Sequence, residues 1–195
     1  MKFLQHLLPL AVAFLPMANA HQDPEMIQHV ELNVDPSPPS LIYNNPVGGA
    51  GGKDFSVVGE PSETIDTLQF WVGDGAGQPK VLRGLQITWS GNRKSAVYGT
   101  ATDESQSFKF EPGETITEMQ VAGGLRADSI SFTTTSRSFF AGGPGGKKVT
   151  MNVGSGILVG FQGGAARDID RLGPIFAQVQ GPTLTVEQCM DCDES

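Results

Sequence analysis

Between Gly48 and Gln178, apolar residues return at every second position in short runs broken by glycine. Leu68, Phe70 and Val72 form one run. Leu85, Ile87 and Trp89, alternating with Gln86 and Thr88, form another. Phe108 with Phe110, Ile130 with Phe132, and Ile157 with Val159 and Phe161 repeat the pattern. A period of two places alternate side chains on one face of a strand, and the Gly, Pro, Asn and Asp residues between runs are turn formers. Beyond residue 20 no long stretch carries apolar residues at i, i+3, i+4 and i+7. The chain has 25 glycines, each costing about 1 kcal/mol inside a helix. The expectation is an all-β fold, a sandwich, barrel or prism of antiparallel sheets.

The glycines are not scattered evenly. Gly48-Gly-Ala-Gly-Gly-Lys53 and Gly142-Gly-Pro-Gly-Gly-Lys147 share one pattern, and the pairs Gly123-Gly124 and Gly163-Gly164 also fall between strands. Recurrent glycine pairs at strand junctions predict a pseudo-symmetric assembly with similar corners. A phosphate-binding loop needs four residues before its Gly-Lys and a helix after it. Here three intervene and strand-like sequence follows, and no Gly-x-Gly-x-x-Gly is present.

The ends of the chain differ in texture. Lys2, the apolar run Leu7–Phe14 and Ala18-Asn19-Ala20 have the order of a secretory leader over residues 1–20, which implies a secreted, extracellular protein. Residues 21–47 form a proline-rich arm in which Val30, Leu32 and Val34 alternate and could add an edge strand. A domain over 48–178 and a tail over 179–195 complete the expected organisation. The two cysteines, Cys189 and Cys192, both lie in the tail. In an oxidising compartment they pair with each other or between chains, and so short a loop does not hold the fold together.

The net charge is −8, which repels phosphate backbones and acidic membrane surfaces and leaves neutral ligands unpenalised. No stretch other than the leader approaches the roughly 18 apolar residues of a membrane span. Two carboxylates, Asp168 and Asp170, follow the strand ending at Phe161 and would share a face if extended. As a glycosidase pair they would have to flank a bond at about 5 Å or about 6.5–9.5 Å, in a cleft for which short loops leave little material. The plainer reading is a solvated acidic turn. With the leader removed, His21 becomes the first residue. A terminal histidine can chelate copper, but its only other histidine partner, His29, lies in the same arm. Two cysteines are too few for a zinc site. The Gly-x-Ser-x-Gly motif is absent, and no histidine falls inside the β-domain.

Five segments, in order, resemble the jacalin-related lectin domain: Gly48–Phe55, Leu85–Trp89, Phe110-Glu-Pro-Gly-Glu-Thr-Ile116, Ile130-Ser-Phe-Thr-Thr134, and Val159-Gly-Phe-Gln-Gly163 leading into Asp168-Ile-Asp170 and Gly173. The Asp-Ile-Asp form is similar to the lectin module of fish aerolysin-like proteins. The leader and the Cys-x-x-Cys tail are similar to zymogen granule lectins. The resemblance implies a β-prism of three four-stranded antiparallel sheets about a pseudo-threefold axis. It implies a shallow sugar site at one end, built from Gly48 and Gly49 of the first loop and Ala166, Arg167, Asp168 and Asp170 of the last. Asp170 would accept two sugar hydroxyls, and Asp168 would present its backbone N–H. Ala166 departs from the family's Gly-x-x-x-Asp spacing. Gly48 follows a long arm and is not a free amino terminus, which implies mannose- or glucose-type glycans or glycoproteins as partners, no cofactor and no catalysis. Sites this shallow are weak singly, so avidity calls for several sites or a homo-oligomer. The rival expectations are a polysaccharide-active enzyme, using copper or the carboxylates, and a non-binding extracellular structural domain.

Overall fold

The alternating runs become strands. The computed structural model describes residues 29–33, 39–75, 78–179 and 183–187, in two units: Met1–Val34 with Pro182–Ser195, and Asp35–Gly181. In chain order the strands are β1 His29–Asn33, β2 Ser40–Tyr43, β3 Val47–Gly48, β4 Lys53–Val58, β5 Ile65–Gly75, β6 Gln78–Trp89, β7 Tyr98–Gly99, β8 Ser105–Lys109, β9 Ile116–Gly123, β10 Ala127–Thr134, β11 Ser138–Gly142, β12 Lys147–Thr150, β13 Ile157–Ala165, β14 Ile169–Gln178 and β15 Thr183–Glu187. The one helical turn among the described residues is 3-10, Ser90–Asn92.

In the first unit, β1 and β15 pair antiparallel, with Val30 opposite Val186 and Leu32 opposite Leu184. The arm therefore does form a strand, but its partner is the tail and not the glycine-rich domain. Val34, the leader, His21, Cys189 and Cys192 lie outside the described residues.

The second unit is the predicted all-β prism. One sheet runs β7-β6-β5-β8, a second β11-β10-β9-β12, and a third β2-β14-β13-β4, with β3 also pairing with β14. All pairings are antiparallel. Strands of this unit thus begin at Ser40, ahead of the first glycine-rich loop. The inward faces carry the alternating residues. Leu68, Phe70 and Val72, Leu85, Ile87 and Trp89, and Ile130 and Phe132 are all buried. Phe108 lies 5.0 Å from Phe132, and Phe70 meets Phe161 edge-on at 6.2 Å. One expected run breaks. Leu158 pairs with Phe176 and Gly160 with Ile175, so Val159 is a bulge that switches faces. Ile157 is consequently exposed and Leu158 buried.

The pseudo-symmetry is carried by three matching bulges. In β14, Gly164 pairs with Arg171 and Ala165 with Ile169, which leaves Asp170 as the extra residue. In β10, Ala122 pairs with Ser129 and Gly123 with Ala127, and the extra residue is Asp128. In β6, Trp71 pairs with Gly84 and Val72 with Leu82, and the extra residue is Arg83. The three bulged strands contact one another at this end of the prism.

Candidate functional site

Each bulge meets a second strand in the same way. The carbonyl of Asp170 accepts the Gly49 N–H at 2.8 Å, that of Asp128 accepts Gly143 N–H at 2.9 Å, and that of Arg83 accepts Thr100 N–H at 2.8 Å. The donor in each case follows a glycine of positive φ: Gly48 (138°), Gly142 (111°) and Gly99 (82°). At Gly48 and Gly142 a β-carbon would run into the bulged residue's own carbonyl, so only glycine fits. A positive-φ glycine and the N–H after it thus clamp each bulge, and in two of the three copies the two residues are the repeated Gly-Gly pair.

The second half of each repeat touches the carboxylates. A β-carbon on Gly51 would stand 2.5 Å from Asp170 Oδ1, and one on Gly52 2.6 Å from Oδ2. In the other copy, a β-carbon on Gly145 would stand 3.2 Å from Asp128 Oδ1, and Gly146 crowds Oδ2. Bare backbone therefore lies against each carboxylate. The third copy lacks this element, because Thr102 and Asp103 replace the second glycine pair.

The expected site residues do come together. Gly48 and Gly49 lie against β14, and Ala166 N–H donates to Asp168 C=O at 3.0 Å, closing the turn. Ala166 and Arg167 are exposed at its tip. Ala166 carries no backbone strain, since Asn92 is the only non-glycine with positive φ among the described residues. The acidic turn is not solvated, however. Asp168 and Asp170 are 4% and 3% exposed. Asp168 Oδ1 is 2.7 Å from Arg83 Nε and its Oδ2 is 3.2 Å from Arg126 Nε. Asp170 Oδ1 is 3.1 Å from Arg126 Nη1. Burying two carboxylates demands such partners. Arg171 braces the first loop through Gly51 C=O at 2.6 Å and pairs with Asp54.

Asp128, Arg126, Arg83 and Arg171 were not among the expected site residues. For Asp128 the signal was present: the second Gly-Gly-x-Gly-Gly-Lys run, and a Gly124-x-x-x-Asp128 spacing that the Ala166 loop lacks. The arginines have no local signature, because their carboxylate partners are 42 or more residues away. Burial pushes the Asp128 carboxyl above its ordinary range, offset in part by the Gly124 N–H. Among the described residues no cation lies within ion-pair distance of it, and no grouping of His, Cys, Asp and Glu there could hold a metal. His29 falls in β1.

Fold and loops together define a class of protein, the β-prism lectins. Residues 44–175 match the jacalin-like lectin domain, and the chain belongs to that family. It is similar to the lamprey immune protein, 34% identical with a TM-score of 0.63, over 73% of this chain and 45% of that one. It shares the fold of a mannose-binding jacalin-related lectin from Ananas comosus, with a TM-score of 0.60 at 19% identity over 72% and 99% of the two chains. It is also 28% identical to the prostatic spermine-binding protein of Mus musculus over 96 residues, 49% of this chain and 46% of that one. The chain thus spans under half the length of both the lamprey and the mouse relatives.

Proposed function

We propose that the protein is a secreted, non-enzymatic lectin for mannose- or glucose-type glycans, which it binds at the glycine-loop end of the prism. The observation that carries this reading is the bulged Asp170, its carboxylate held against the bare backbone of Gly51 and Gly52. A pyranose offers adjacent hydroxyls that each donate and accept, and a carboxylate accepts two such protons with charge-assisted strength. The exposed turn at Ala166 and Arg167 supplies the rim. Support for mannose comes from the named specificity of the Ananas comosus lectin. It comes also from the run of chain through β3 into Gly48, which leaves no free amino terminus at that loop. Secretion rests on the leader-like first twenty residues.

A glycosidase would need carboxyls on opposite sides of a bond, whereas Asp168 and Asp170 both turn to the Arg126 guanidinium. At the Ala166 turn a polyamine would have to displace Arg83 and Arg126 from Asp168 and Asp170. The test is a glycan array of the parent protein and Asp170→Asn. Retention of mannose- or glucose-terminated glycans by the parent, at least tenfold weaker in the variant, is the expected result. Hydrogen bonds to a charged acceptor contribute about 1.5–3 kcal/mol. No retained glycan would end the lectin reading.

A further inference from the structure

We propose that the chain pairs with a second copy of itself through the open edge of β2, and that this two-fold dimer, with its Asp170 loops at opposite ends, bridges separate glycan-bearing surfaces. The bridging rests on the lectin reading, whereas the dimer does not.

β2, Ser40-Leu-Ile-Tyr43, is the outermost strand on its side of the third sheet. Its register sets Tyr43 opposite Ile175 and Leu41 opposite Ala177, and Asn44 N–H donates to Pro174 C=O at 3.2 Å. Alternate residues of an antiparallel strand bond to the same side. Ser40 and Ile42 are therefore spent on β14, and the N–H and C=O groups of Leu41 and Tyr43 point out of the sheet. They have no backbone partner among the described residues. Such a row is a template for another strand. Other edges of the prism are guarded. β4 opens with Lys53 and Asp54, β12 with Lys147 and Lys148, and β8 ends on Lys109. β11 packs on β5 and β6, and β7 has only two residues. β2 carries neither charge nor proline.

The side chains of this edge select the occupant. Ile42 packs on the core, while Leu41 and Tyr43 are 38% and 54% exposed on the outer face. Leu41 stands across Ala177 from Ile157, itself exposed, so the apolar surface continues over the sheet. A two-fold axis through Ile42 sets Leu41 opposite Tyr43 of the second copy, and Tyr43 opposite its Leu41. In that register the outward groups of each pair exchange both hydrogen bonds, and each leucine packs on a tyrosine as a cross-strand pair. An unrelated strand would satisfy the backbone alone, whereas the second copy also covers both side chains. The sheet then runs unbroken from β4-β13-β14-β2 into the same strands in reverse order. Strand direction reverses across the axis. Asp170 lies near the start of β14 and β2 pairs with its last residues, so the two glycine-loop ends point away from each other. A dimer of this shape engages two surfaces rather than one.

The test uses the full chain with Cys189→Ser and Cys192→Ser, which removes pairing through the tail. Sedimentation equilibrium should show a concentration-dependent dimer, weakened at least tenfold by Leu41→Lys with Tyr43→Lys at an unchanged melting temperature. Leu41→Cys and Tyr43→Cys, made separately in the same background, read the register. Mixed and oxidised they should cross-link, because residues paired in this way have Cα atoms about 5.5 Å apart. Each alone should not, because identical residues would stand more than about 8 Å apart. A monomer throughout, a dimer indifferent to the two lysines, or either cysteine variant cross-linking alone as readily as the mixture overturns the dimer. Phosphatidylcholine vesicles carrying a mannosylated lipid test the bridging. The dimer should bind and aggregate them, and the lysine variant should bind without aggregation. Binding without aggregation by the dimer overturns the bridging. A dimer that binds no vesicle overturns the lectin reading and the bridging with it, and leaves the β2 interface standing.

Discussion

Asp128 and Asp170 occupy matching bulges, and what separates them is one guanidinium. The difference has a consequence for stability. Burial raises the Asp128 carboxyl, so the folded state binds its proton more tightly than the unfolded state does. The cost of that burial is absent below the ordinary carboxylate range and present in full above the raised value. Asp128→Asn should therefore melt at a higher temperature than the parent at neutral pH, and the gain should shrink as pH falls through the carboxylate range. Thermal melts at pH 7 and pH 3.5 check it. Asp168, by contrast, faces two cations, Arg83 and Arg126. Arg83→Leu leaves Asp168 with one partner in a site where both side chains are nearly fully buried. The expected loss is about 3 kcal/mol in urea unfolding, with partial recovery when Asp168→Asn is added. A double-variant loss equal to the sum of the Arg83→Leu and Asp168→Asn losses would show that the pair carries no coupling.

At the level of elements, the bulge and its glycine clamp form the working unit. Gly142→Ala and Gly48→Ala each force a β-carbon into a backbone carbonyl at positive φ, and each should cost more than about 1 kcal/mol; Gly48→Ala should also weaken sugar binding. Elsewhere the turns are held by carboxylates. Glu63, hydrogen-bonded to Arg93 and then to the Glu60 N–H, is lowered from 4.5 to about 2. Burial raises Glu114, but the Glu111 N–H, the Thr134 hydroxyl and Arg137 outweigh it and the carboxyl is lowered. Both contribute stability above the ordinary carboxylate value; for Glu63 it is lost as pH falls below about 4.5 toward 2, and for Glu114 as pH falls through its lowered value. Glu63→Gln should flatten that part of the melting curve against pH. Strands were readable from sequence because each alternation has a buried face, as at Leu85, Ile87 and Trp89. The Ile157 run misled because a bulge is a backbone event with no residue type of its own. The same physics hid Arg83, which reads as an interruption of an apolar strand until its partner Asp168 is seen in space.

For the whole molecule, the prism follows from repetition: three sheets, three bulges, and two of the three copies keeping aspartate. The glycine repeat and the five family-like segments made the fold and the Asp170 loop accessible from sequence. The arginine network was not accessible, because it joins strands from all three sheets. The tail cysteines lie beyond the last strand of the prism. Cys189→Ser with Cys192→Ser should leave the melting temperature within a few degrees, and a dimer that vanishes on reduction would show pairing between chains. The reading that most needs testing is that the bulged Asp170 binds sugar. Its most direct test is retention on a surface of mannosylated carrier protein, with free methyl α-D-mannopyranoside as competitor. The parent should be retained and displaced by the free sugar, and a folded Asp170→Asn variant should be retained at least tenfold more weakly. Retention of that variant at parental strength, still displaced by the sugar, would place recognition elsewhere on the protein and contradict the proposed role of Asp170.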